Sequence, residues 1–77
     1  MMTDKEATAK VKAILSDFGM GYMSIKSNIV VYNDGRPPVV LSVIKLPWKA
    51  VYSQDKIKAA QAAAAEQGIK LQLRMMA

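Results

Sequence analysis

Residues 69–75 read Ile69-Lys70-Leu71-Gln72-Leu73-Arg74-Met75, an unbroken alternation of apolar and polar side chains. Successive side chains of a strand point to opposite faces. This stretch therefore presents an apolar row on one side and Lys70, Gln72 and Arg74 on the other. It decides the fold through what precedes it. Ser53 can cap a helix over residues 54–67, Ile57, Ala60 and Ala64 mark the buried side of that helix, and Gly68 stops it. The run Ala62 to Ala65 favours helix and has almost no side-chain bulk, so the backbone can lie close to a sheet. A strand directly after such a helix returns the chain to that sheet.

Working towards the N-terminus, Val39 to Leu46 is a strongly apolar strand broken by Pro47. Ahead of it, Asn33-Asp34-Gly35 is a turn signal, and Arg36-Pro37-Pro38 widens the loop because proline cannot donate to a ladder. Met23 and Ile25 alternate with Tyr22, Ser24 and Lys26, which predicts a strand over residues 21–26. Ser27-Asn28 can turn, and the β-branched run Ile29-Val30-Val31-Tyr32 predicts another strand over 29–33. Thr3-Asp4-Lys5-Glu6 is a capping box that opens a helix over 4–18. Its stripe is Ala7, Val11, Ile14, Leu15 and Phe18, and Gly19 fits its end.

The expected architecture is one α+β domain over residues 1–77. Two helices pack on one face of a small, mainly antiparallel sheet of three to four strands, in the order α-β-β-(β)-α-β. The lower count applies if residues 21–33 form a single bent strand.

The chain has 77 residues, 52% of them hydrophobic, with neither Cys nor His. A domain this short buries only about 60% of the surface its unfolded chain exposes. With disulfides excluded, packing or self-association must stabilise it. A zinc site of the imidazole or thiolate kind is not expected, and neither is any other metal or cofactor. The start lacks the apolar core of a secretory signal, and no stretch approaches the roughly 20 apolar residues of a membrane span. The expected compartment is the cytoplasm.

Nucleophilic catalysis needs a base beside a Ser, Thr or Cys, and the usual base and the best nucleophile are both missing. The six carboxylates, Asp4, Glu6, Asp17, Asp34, Asp55 and Glu66, are dispersed, several of them at helix starts or in a turn. Gly19-Met20-Gly21 lacks the third glycine and the following helix of a phosphate loop. The expectation is a non-catalytic protein with no small-molecule substrate.

The net charge is +5. Residues 1–20 balance Lys5, Lys10 and Lys12 against Asp4, Glu6 and Asp17, so the excess lies in residues 21–77. Three surfaces follow as binding candidates. The first is the basic segment Lys45, Trp48, Lys49, Lys56 and Lys58, in which Trp48 either stacks on a base or fills the core edge. The second is the polar side of the last strand, Lys70, Gln72 and Arg74, set beside Tyr22, Ser24 and Lys26 if those strands are neighbours. The third is surplus apolar surface. Val39, Leu41 and Val43 point one way along their strand and Val40 and Ile44 the other, so a face with Val40, Ile44 and Val30 is left for a partner. Met20, Met75 and Met76 add adaptable contact material.

The element order and the basic start of the second helix (Ser53, Lys56, Lys58, then the alanine run) resemble double-stranded-RNA-binding domains. Those domains end at the second helix and carry a loop containing His. This chain adds a strand and has no His, so no function is carried over.

The leading expectation is a protein-interaction module, an inhibitor or adaptor of the size of phage and mobile-element accessory proteins, or a homodimer. The alternative is nucleic-acid binding through residues 45–58 and 70–74.

Overall fold

The computed structural model describes residues 2–47 and 51–75. Helix α1 (Asp4–Asp17) starts where the Thr3 hydroxyl accepts the Glu6 N–H at 3.1 Å, and the same hydroxyl donates to the Glu6 carboxylate at 3.2 Å. It ends one residue short of the expected Phe18. Gly19, at φ 66°, donates to Ser16 and Met20 donates to Leu15, a paired closure that satisfies two otherwise orphaned carbonyls. Met20 and Leu15 are both buried, so this closure also aims the chain back into the core.

Among the described residues the sheet has three strands: β1 (Ser24–Val30), β2 (Val39–Leu46) and β3 (Ile69–Met75), in the spatial order β1-β2-β3. Residues 21–33 thus give a single strand, the lower of the two expected counts, and not the pair at 21–26 and 29–33. Ser27 and Asn28 do not turn. They lie within β1, opposite Ser42 and Leu41. The Ser27 hydroxyl finds tertiary partners, so it does not need the local backbone bonds that would make a turn. Thr8 of α1 donates to it at 2.8 Å, and it shares a 2.8 Å bond with Ser42.

β1 and β2 are antiparallel, whereas β2 and β3 are parallel, so the sheet is mixed. The parallel pair follows from the connection. Parallel neighbours need a long crossover, and α2 (Gln54–Glu66) supplies it by carrying the chain back along the sheet so that β3 enters in the same direction as β2. Ser53 caps α2 by accepting the Lys56 N–H at 3.2 Å, and Gly68, at φ 78°, follows its end. Ala60 and Ala64 are fully buried, which seats α2 close to β3.

Both helices cover one face of the sheet. Ala7, Val11 and Leu15 of α1 and Ala60 and Ala64 of α2 share a core with Val40, Ile44, Leu46, Ile69 and Leu71. This corrects the expected placement of Val40 and Ile44. They are 9% and 0% exposed, under the helices, and offer no surface to a partner.

The buried hydroxyls suit a test by double-mutant cycle. Ser27→Ala should cost about 1–3 kcal/mol, because Ser42, fully buried, loses its hydrogen-bond partner. Adding Ser42→Ala should cost far less than its own single effect, because both partners are then gone. Urea unfolding of the three variants checks this, and simple additivity would show that the pair is not coupled.

Candidate nucleic-acid interface

The face opposite the helices is built by the other parity of each strand. Registry sets its side chains in rows. Ser24, Lys45 and Arg74 form the first, Lys26, Val43 and Gln72 the second, and Asn28, Leu41 and Lys70 the third. Val30 and Val39 begin a fourth. The centre is therefore an aliphatic stripe, Val39, Leu41 and Val43, each half-buried. Cations and amides flank it: Lys26 and Asn28 on β1, Lys70, Gln72 and Arg74 on β3, and Lys45 at its end.

Charge is segregated between the layers. In α1 the cations Lys5, Lys10 and Lys12 balance three carboxylates, and in α2 Lys56 and Lys58 balance Asp55 and Glu66. In the β1–β2 loop Arg36 forms a 2.7 Å ion pair with Asp34 and lies over the Tyr32 ring at 4.1 Å. Hydrogen bonds from the Arg36 side chain, then from its backbone, hold the Asp34 carboxyl below its ordinary value. The three strands contain no carboxylate at all. The net charge of +5 therefore resides in Lys26, Lys45, Lys70 and Arg74 on the open face, together with Lys49. Among the described residues none of those four makes an ion pair.

Lys45 stands directly opposite Arg74. Like charges in that relation destabilise a sheet, and Lys26, opposite Val43, sits on the diagonal. Around these three cations the face sinks into a depression of about 400 Å³ lined by Ser24, Lys26, Asn28, Val43, Lys45 and Arg74.

The expected basic surface is split by the structure. Lys45, Lys70 and Arg74 share the open face. Lys56 and Lys58 belong to α2, in the helical layer, where Lys56 lies over the Tyr52 ring at 5.4 Å. Tyr52 in turn accepts the Gly21 N–H at 2.7 Å, tying the segment before α2 to the segment before β1. Trp48, Lys49 and Met76 lie outside the described residues, and Met75 ends β3. Tyr22 precedes β1 and is 38% exposed. The strands of Lys70 and Arg74 and of Ser24 and Lys26 are not neighbours, because β2 lies between them, although the four residues share one face. The residues added by the structure are those β2 supplies, Leu41 and Val43, and the signal for them was the parity they share with Lys45.

Among the described residues no three His, Cys, Asp or Glu side chains gather as a metal site, and no helix is long and apolar enough to cross a membrane. No protein-family model, curated protein or solved structure significantly matches this chain.

Proposed function

We propose that this chain is a non-catalytic nucleic-acid-binding domain that takes its ligand on the open face of the sheet. The observation that carries the reading is charge segregation. Four cations and no carboxylate occupy one face, while the charges of the helices and the β1–β2 loop cancel among themselves. Repeated phosphates recognise such a surface. The unrelieved Lys45–Arg74 pair adds to it, because an anion seated between two like charges removes their repulsion.

The test is binding of labelled oligonucleotides across a salt series. Four phosphate contacts give a slope of log K against log salt of about −3 to −4. Affinity that is absent at low salt, or indifferent to salt, would rule the reading out.

A second reading rests on the aliphatic stripe of the same face. Val39, Leu41 and Val43 can receive the apolar side of an acidic protein segment, with the flanking cations meeting its carboxylates. An interaction module or inhibitor would work this way. The stripe, and not Val40 and Ile44, is then the contact surface.

A further inference from the structure

We propose that the ligand of the open face is a single strand, not a duplex, and that one of its bases lies in the depression over Val43; this rests on the nucleic-acid reading above. The chemistry of the depression is threefold. Val43 of the central strand supplies an aliphatic floor, Ser24 and Asn28 supply short polar groups, and Lys26, Lys45 and Arg74 supply charge.

A nucleotide whose base is free of a partner offers the three matching parts. Its ring face packs on the floor, its edge bonds to an amide or hydroxyl, and its phosphate meets the cations. A duplex turns its bases inward and meets an indented face through phosphates alone. The sugar–phosphate backbone would then give up water against Val43 and Leu41, which offer it no hydrogen bond in return.

Spacing agrees with this. The two outer strands lie roughly 10 Å apart across β2, and Lys70 and Arg74 are about 13 Å apart along β3. A chain running along β2 keeps its bases over Val43 and Leu41 while its phosphates reach Lys26 on one side or Lys70 and Arg74 on the other.

The test adds stacking surface where the base is placed. Val43→Tyr puts an aromatic ring on the floor at a half-buried strand position that tolerates aromatics. Leu41→Tyr, one row along, serves if Val43→Tyr unfolds, as judged by circular dichroism. Each variant is titrated with a labelled single strand and with the duplex of the same sequence at equal salt. Unmodified protein should bind the single strand at least about tenfold more tightly. The added ring should strengthen single-strand binding by about 5- to 100-fold and leave duplex binding unchanged.

Equal or tighter duplex binding, or no gain from either ring, would overturn the single-strand proposal while the nucleic-acid reading stands. Failure to bind either form would remove that reading itself. Polyglutamate competing as well as the single strand would overturn the base contact and favour an acidic protein partner.

Discussion

Ile44→Ala is expected to lower folding stability by about 2–5 kcal/mol, and Val43→Ala, one residue away, by no more than about 1 kcal/mol. Ile44 is fully buried at the middle of β2, opposite Ile25 on one side and Leu73 on the other. Its importance comes from how the core is assembled. Of the helices, α1 brings Val11 and Leu15 to that core, whereas α2 brings only Ala60 and Ala64, so α2 approaches closely and contributes little volume there. The strands must fill the space, and Ile44 ranks among the largest of the fully buried side chains. No disulfide supports the chain. A domain of this length has roughly 4–12 kcal/mol to lose, so a cavity beneath the helices removes a large share. Val43 points to the open face and leaves no cavity when shortened. Urea unfolding with an unchanged m-value measures both variants. A larger loss from Val43→Ala than from Ile44→Ala would mean that the two faces of β2 are assigned the wrong way round.

The same pair shows what could be read from the sequence and where reading stopped. Both helices, their caps at Thr3 and Ser53 and their stops at Gly19 and Gly68 were legible, because each depends on chemistry within a few residues. β3 was legible from its alternation, and β2 from its apolar run. The facing of β2 was not. Val39, Leu41 and Val43 are as apolar as Val40 and Ile44, and Ser42 interrupts the inward set, so local hydrophobicity favours the wrong side. The deciding facts are non-local. Ser42 is buried at no great cost because Ser27 and Thr8 supply its hydroxyl network from two other elements. Lys45, which continues the odd-numbered row, was the local mark of the solvent side. The same network explains why Ser27-Asn28, a plausible turn by composition, stays in β1. For the candidate site, Lys70 and Arg74 could be placed on one face from their spacing. Their alignment with Lys45 and Lys26 needed the strand order, which no single segment encodes.

Lys45→Glu is expected to weaken oligonucleotide binding by about 10- to 100-fold at physiological salt while leaving the fold as stable or slightly more so. The two halves of this outcome come from one position. Lys45 faces Arg74 across the β2–β3 ladder, and among the described residues neither has an ion-pair partner, a like-charge relation that costs stability. Reversing it places a carboxylate opposite Arg74, worth about 0.2–1 kcal/mol in favour of folding. The same change removes one phosphate contact, repels a second, and reduces the salt slope by about 1–2. Lys58→Glu alters the net charge of the protein by the same amount, but in the helical layer, at an exposed position in α2. If the ligand responds to overall charge, the two variants lose affinity equally. If it occupies the open face, Lys58→Glu changes binding by less than about threefold, because an exposed charge beyond a Debye length is largely screened. Anisotropy titrations of both variants, with unfolding curves alongside, separate these cases. A stable fold with weakened binding from Lys45→Glu alone would identify the Lys45–Arg74 pair as charge held in place for an anion, at some expense to the sheet that carries it.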